Sequence, residues 1–307
     1  VKFGAIDIGS NGARLLISRV LYENSEKTGF ETRYFFKDVE YTRFPLRLGE
    51  DVFQNQKISD KKIDQILKLI QAFKLLMELY EVEDSLAMAT SAFREASNGA
   101  DIVKLVKQKT GVKIEVISGA KEAEILNQAI KKLLQDDTNY LHIDVGGGST
   151  ELNLFKGRQK FAAKSFPMGS VRNTESRESV KLLKSMHSWL DDELSKFIDK
   201  KPIFAIGTGG NINKVYSLIG AEPHPINLDQ IREMRSHISR YSFGEKINIL
   251  QLNPDRADTI VPATMIYISV MEWAGAEKMI VPQLGLKDGM MEVMLEKYLS
   301  KQTLKYS

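Results

Sequence analysis

Tyr140-Leu141-His142-Ile143-Asp144-Val145-Gly146-Gly147-Gly148-Ser149-Thr150-Glu151 reads as a strand, a glycine turn and the opening of a second strand. The apolar run 140–143 ends in an acid, Asp144, and Glu151-Leu152-Asn153-Leu154-Phe155 alternates as a strand does. Gly146, Gly147 and Gly148 permit positive φ and bring the N–H groups of the turn, through Ser149, close to an anion. Asp144, at the mouth of the turn, is placed to hold a divalent cation that an oligophosphate would share. Alone, the stretch reads as readily as an ordinary hairpin with a generous turn.

The pattern recurs. Phe3-Gly4-Ala5-Ile6-Asp7-Ile8-Gly9-Ser10-Asn11 is again an apolar strand ending in Asp-x-Gly, followed by a strand over 14–20. A third glycine turn, Ile206-Gly207-Thr208-Gly209-Gly210-Asn211, follows a strand at 202–205. Two Asp-x-Gly hairpins and a further glycine turn predict two related lobes facing a shared phosphate cleft.

A chain of 307 residues accommodates two domains, and 43% hydrophobic with 27% charged residues is the composition of a soluble globular protein. A net charge of +3, with no aromatics interleaved in a basic run, argues against nucleic acid as partner. It suits a small polyanion without demanding one. With no cysteine, disulfides, thiol nucleophiles and thiolate zinc sites are excluded. No basic-then-apolar leader opens the sequence and no apolar run reaches the ~18 residues of a membrane span, so a cytoplasmic protein with no membrane partner is expected.

Further strand is expected over 30–44, and an amphipathic helix over 60–80 from Ile63, Ile66, Leu67, Ile70, Phe73, Met77 and Tyr80, with Ser59 as its cap. A strand at 85–90, a helix at 99–110 and a strand at 113–117 make a β–α–β unit. The helix from 118 to 132 presents Ala123, Leu126, Ile130, Leu133 and Leu134 on one face, with Glu122 at its edge and Glu124 turned to solvent. Glu122 can reach an interior cleft, or can simply complement the helix dipole. Downstream come a strand at 161–166 and a helix at 174–199 with Val180, Leu183, Met186, Leu190, Leu194 and Phe197 as its stripe. A helix near 211–219, two short helices within 228–250, a helix at 258–273, a strand at 278–281 and a last helix at 287–300 complete the chain. Met265, Met290, Met291 and Met294 read as core filler. His142, inside a buried strand, reads as a satisfied core residue. His187 and His237 lie in helices without ligand spacing, and His224 in a Pro-containing surface connection.

Seven motifs in order then resemble one family: Ala5-Ile6-Asp7-Ile8-Gly9-Ser10-Asn11; Ala89-Thr90-Ser91-Ala92-Phe93-Arg94-Glu95-Ala96; Ile117-Ser118-Gly119 with Glu122-Ala123; Ile143-Asp144-Val145-Gly146-Gly147-Gly148-Ser149-Thr150-Glu151-Leu152; Gly207-Thr208-Gly209-Gly210; Asn253-Pro254-Asp255-Arg256-Ala257-Asp258; and Gly285-Leu286-Lys287-Asp288-Gly289. The chain resembles the exopolyphosphatase/guanosine pentaphosphate phosphohydrolase (Ppx/GppA) family, in a short form ending before the C-terminal helical region of longer members. The resemblance implies an α/β protein of two ribonuclease-H-like domains of the actin, Hsp70 and sugar-kinase superfamily, flanking a phosphate-binding cleft. The expected division is 1–122, completed by the helix at 288–307, and 123–287. The implied reaction is magnesium-dependent hydrolysis of the terminal phosphoanhydride of inorganic polyphosphate or guanosine pentaphosphate, with guanosine tetraphosphate as a related ligand and a homodimer allowed by analogy.

On that resemblance Glu122 is the base that orients and deprotonates water. Asp144 holds magnesium with Glu151 assisting, and Asp7 contributes from the other lobe. Ser10, Asn11, Gly146, Gly147, Gly148, Ser149, Gly207, Thr208 and Gly209 neutralise the transferring phosphoryl group, and Arg94 adds a bidentate contact. Arg94 also reads as a surface ion-pair residue, and Arg256 reads either as a site residue or as a helix cap. Gly12 stands where the family has Ser or Thr, Glu124 where Arg is common, Gln128-Ala129-Ile130 near a usual Gly-Val, and Asn211 for a frequent Thr. These departures bear on substrate preference and leave Glu122, Asp144 and Glu151 in place. Two other readings remain open: a kinase of the same superfamily, and a non-catalytic sensor of the alarmone or of polyphosphate.

Overall fold

The computed structural model describes residues 1–23, 33–172, 177–196, 201–220 and 225–306. In chain order the elements are β1 (Lys2–Ile8), β2 (Ala13–Glu23), β3 (Arg33–Phe44), α1 (Leu48–Asn55), α2 (Asp60–Leu79), β4 (Asp84–Ala89), α3 (Ser91–Glu95), α4 (Gly99–Thr110), β5 (Ile114–Val116) and α5 (Gly119–Ile130). They continue as β6 (Asn139–Val145), β7 (Thr150–Lys156), β8 (Gln159–Phe166), α6 (Arg177–Leu194), β9 (Ile203–Thr208), α7 (Gly210–Ile219), β10 (Ile226–Asn227), α8 (Leu228–Ser239), α9 (Phe243–Asn248), α10 (Pro254–Ala257), α11 (Ile260–Ala274), β11 (Lys278–Ile280) and α12 (Leu286–Tyr306). The chain divides into two units. One is Val1–Ser118 with Glu124–Ala129 and Leu286–Ser307; the other is Gly119–Ala123 with Ile130–Gly285.

In the first unit the sheet order is β3-β2-β1-β4-β5, with β1, β2 and β3 antiparallel and β4 and β5 parallel to β1. The central strand β1 is covered on both faces, which is why it reads as a near-continuous apolar run. Ile6 and Ile8 pack with Ile66, Ile70, Phe73 and Met77 of α2. Phe3 and Ala5, of opposite pleat, pack with Met290, Met291 and Met294 of α12. Gly4 lets α2 approach β1 closely, since a Cβ there would lie 2.7 Å from the Met77 sulfur.

In the second unit the order is β10-β11-β9-β6-β7-β8. Again a three-stranded antiparallel meander, β6-β7-β8, leads into strands parallel to its first, β9 and β11. The two units therefore repeat one ribonuclease-H-like arrangement. The core of the second is built from Leu141, Ile143 and Val145 of β6 with Met186 and Leu190 of α6, Val215 of α7 and Ile266 and Val270 of α11.

Several expectations shift. Ile206, Gly207 and Thr208 belong to β9, paired with His142, Ile143 and Asp144 of β6, so the third turn begins only at Gly209. Gly207 reads as a turn residue, yet it is needed in the strand because a Cβ would lie 2.5 Å from the Met279 sulfur. Val180 and Leu133 are exposed rather than in the stripes of their helices. On α5, burial extends to Ile125, Asn127 and Ala129, so a single-face reading of that helix is too narrow. Helix α1 and the two-residue β10 stand where no element was expected. Residues 30–32, Phe197 and His224 lie outside the described residues.

Candidate active site

The site in the second unit is built at the C-terminal end of β6. Asp144 on β6 and Glu151 on β7 are directly opposed in the antiparallel register, so both carboxylates leave the same face of the sheet. Like charges so placed repel, and each is held by a hydroxyl from the strand on its outer side. Thr208 Oγ1 on β9 donates to Asp144 Oδ1 at 2.8 Å, and Ser165 Oγ on β8 donates to Glu151 Oε1 at 2.8 Å. Glu151 is 2% exposed, whereas Asp144 is half-buried.

The glycine turn between these acids is fixed by the segment after β8. The Gly146 carbonyl accepts from the Ser170 N–H at 3.0 Å, the Gly147 carbonyl from the Val171 N–H at 2.8 Å, and the Gly148 carbonyl from Arg172 Nε at 2.6 Å. In a trans peptide the carbonyl and the following N–H point in opposite directions. The N–H groups of Gly147, Gly148 and Ser149 are therefore turned away from 170–172. Gly169 is obligatory to this lacing, because a Cβ there would lie 2.4 Å from the Gly147 oxygen.

Helix α5 starts against Glu151. A Cβ on Gly119 would meet Ser165 Oγ at 2.7 Å and Glu151 Oε1 at 3.7 Å. Glu122, in the first turn of α5, is half-buried while Glu124 is exposed, as the helical spacing predicts. On the other side of Asp144 lies Gly209, at φ 112°; a Cβ there would approach Asp144 Oδ1 to 3.4 Å. Tyr267 of α11 ties β6 to β9: its hydroxyl accepts from the Val145 N–H at 3.2 Å and donates to the Thr208 carbonyl. Burial, and then the Asp144 charge, push the Tyr267 phenol well above its ordinary range, so it stays protonated and able to donate. Arg256 lies over the start of α7, where a Cβ on Gly210 would be 2.7 Å from its guanidinium. Beside it, Asn211 exchanges hydrogen bonds with Thr259 at 3.4 Å.

His142 is fully buried and both ring nitrogens are engaged, by Asn153 at 3.1 Å and Thr208 at 2.8 Å. Burial pushes its pKa down to about 3, so the imidazole is neutral, the core residue the sequence suggests.

In the first unit the expected residues gather at the C-terminal ends of β1 and β4. Asp7 is 7% exposed and paired with Arg14 Nη1 at 2.9 Å, so its charge is offset within its own hairpin. Ser10 and Ser91 share a hydrogen bond at 2.7 Å, and the Ser10 and Asn11 carbonyls accept from Gly49 and Arg47 N–H groups. Arg94 Nη1 donates to the Ile117 carbonyl at 2.7 Å. Gly12 has a steric reason: a Cβ there would lie 2.9 Å from the Phe44 carbonyl, so neither Ser nor Thr fits without a shift.

Ser165, Asn153, Tyr267 and Gly169 escape sequence reasoning as site residues. A signal exists for two. Asn153 is an amide set between Leu152 and Leu154 in a fully buried stretch of strand, and Tyr267 is a phenol in a mostly apolar helix, Ile260–Ala274.

Two repeated ribonuclease-H-like units, each with an acid and a tight turn at the end of its first strand, define a protein of the actin-like two-domain fold. Residues 25–298 match the Ppx/GppA phosphatase family, and the chain belongs to that family. A bifunctional 3-dehydroquinate synthase/phosphatase of Fusobacterium nucleatum is 30% identical over 95% of the chain, which spans only 46% of that protein. Exopolyphosphatase 1 of Mycobacterium leprae is 25% identical over 94% of the chain and 88% of its own length. Among solved structures, an exopolyphosphatase from Cytophaga hutchinsonii superimposes with a TM-score of 0.79 at 21% identity, covering 97% of this chain and 98% of that one. The Aquifex aeolicus family member gives 0.73 at 24%, with the same coverage.

Proposed function

We propose that this chain hydrolyses the terminal phosphoanhydride of a linear oligophosphate, either inorganic polyphosphate or guanosine pentaphosphate. The observation that carries the reading is the pairing of Asp144 with Glu151 across one ladder, beside a glycine turn whose N–H groups face away from its anchoring segment. The name of the mycobacterial relative, exopolyphosphatase, supports the substrate class.

A magnesium ion fits this donor set. The acids and hydroxyls are hard oxygen donors, and two like charges on adjacent strands call for a cation between them. No group of three or more His, Cys, Asp or Glu suited to a metal occurs among the described residues. An ion here would be bound through one or two carboxylates and completed by substrate phosphates. Asp144, with Glu151 assisting, would hold it; when bound it supplies positive charge to the phosphate oxygens. Asp7 is a second candidate, although it already neutralises Arg14.

The chain's own residues then act as follows. The N–H groups of Gly147, Gly148 and Ser149 bind oxygens of the terminal phosphoryl group, and Gly209 contributes to holding the oligophosphate; Arg94, Ser10 and Asn11 are the phosphate-binding candidates of the first unit. The Thr208 side chain serves Asp144 rather than phosphate, and Gly207 serves the strand. Glu122 takes the proton of the attacking water as its oxygen bonds to the terminal phosphorus and the bridging P–O bond breaks. The electron pair of that bond leaves on the shortened oligophosphate.

The test is phosphate release by the purified chain with magnesium, offering long-chain polyphosphate and guanosine pentaphosphate in parallel, against Glu122→Gln. Release from one or both that falls about 100-fold or more in the variant supports the reading, and the faster substrate sets the preference. Binding without release from either would favour a sensor. Release unaffected by Glu122→Gln would remove Glu122 as the base.

A further inference from the structure

Behind Asp144 runs a buried file of polar groups that crosses three strands. Asn153 on β7 is registered with His142 on β6, and Thr208 on β9 with Asp144 on β6. Asn153 Nδ2 lies 3.1 Å from His142 Nδ1, His142 Nε2 lies 2.8 Å from Thr208 Oγ1, and Thr208 Oγ1 lies 2.8 Å from Asp144 Oδ1. Asn153, His142 and Thr208 are each 0% exposed.

The direction of each hydrogen bond follows from donor chemistry. An amide nitrogen only donates, so Asn153 makes Nδ1 the acceptor of a neutral imidazole, and the ring proton must reside on Nε2. Nε2–H then donates to the Thr208 oxygen, leaving the Thr208 proton to point at Asp144 Oδ1, the acceptor of that hydrogen bond. A buried file with every donor aligned polarises each following bond. Its last group also fixes the carboxylate rotamer.

We propose that His142, held as its Nε2–H tautomer by Asn153, is a positioning residue that keeps the Thr208 hydroxyl donating to Asp144 and so orients that carboxylate for its ligand. The proposal rests on the metal-binding reading of Asp144 for its functional consequence, and on geometry alone for the tautomer. Partners that orient a metal ligand from behind typically alter affinity or activity about 10–100-fold when removed.

Two measurements test it. Nitrogen-15 NMR of the labelled protein should show His142 with a protonated Nε2 and a bare Nδ1; the opposite tautomer would overturn the proposal. Manganese binding is then measured by EPR, together with the magnesium dependence of phosphate release. His142→Phe, which keeps the ring but not the donor, should weaken manganese binding about 10-fold or more. His142→Gln, which retains an N–H toward Thr208, should recover most of the loss. Wild-type manganese affinity in a folded His142→Phe would contradict the proposal. Should that variant fail to fold, Asn153→Leu replaces it: a mixture of tautomers supports the file, and an unchanged tautomer refutes it. Asp144→Asn distinguishes the two layers of the claim. If it binds manganese as the wild type does, the metal reading of Asp144 falls, and the nitrogen spectrum alone still decides the tautomer.

Discussion

Gly209 occupies φ 112°, a region that L side chains rarely adopt, and a Cβ there would lie 2.8 Å from the Val145 carbonyl and 2.9 Å from the Tyr267 hydroxyl. Gly209→Ala is expected to cost at least about 1–3 kcal/mol, read as a lowered urea midpoint. Tyr267→Phe removes the acceptor of a buried N–H and should cost about 1–3 kcal/mol, with a lower thermal midpoint. His142 carries a pH signature. Its folded pKa of about 3 lies below the ordinary 6.5, so between these values the unfolded chain binds a proton that the folded chain refuses. Stability from this group is thus complete above pH 6.5 and falls toward pH 3 at up to about 1.4 kcal/mol per pH unit. Urea midpoints measured at descending pH should show that loss in the wild type and lack its His142 component in His142→Phe. These supporting residues were hard to read from sequence for a physical reason. Thr208 and Tyr267 lie 64 and 122 residues from the positions they hold, Asp144 and Val145, and only the folded sheet brings them together.

At the scale of elements, the glycine turn depends on the segment 168–172. A Cβ on Gly169 would collide with the Gly147–Gly148 peptide, at 2.4 Å from one oxygen and 2.6 Å from the next nitrogen. Gly169→Ala should therefore misplace the N–H groups of the turn and lower phosphate release about 100-fold, while circular dichroism still reports the sheet. Elements with strong periodicity were legible: β1 and β6 as apolar runs ending in acids, and α2 with its buried Ile66, Ile70, Phe73 and Met77. Weaker signals failed where tertiary contact decides. Gly207 and Thr208 look like a turn by residue type, yet pairing with β6 keeps them in a strand. Val180 satisfies the helical spacing of α6, but Ser179, Met186 and Leu190 form the face that is buried.

At the scale of the molecule, the duplicated Asp-x-Gly hairpins made the two-unit architecture readable, because each hairpin opens a meander with the same strand order. The placing of Asp144 and Glu151 on paired strands with glycines between them was readable on the same basis; the contacts of Ser165, Asn153 and Tyr267 were not. Chelation of divalent metal is expected to abolish phosphate release, and added magnesium or manganese to restore it. The central claim is that Asp144 and the 146–149 turn together form one metal–phosphate site. The most direct measurement is a crystal structure of the Glu122→Gln chain with manganese and a short polyphosphate, read by anomalous scattering. A manganese peak within coordination distance of Asp144, with phosphate oxygens on the N–H groups of Gly147, Gly148 and Ser149, is the predicted result. A peak remote from Asp144, or phosphate bound away from that turn, would contradict it.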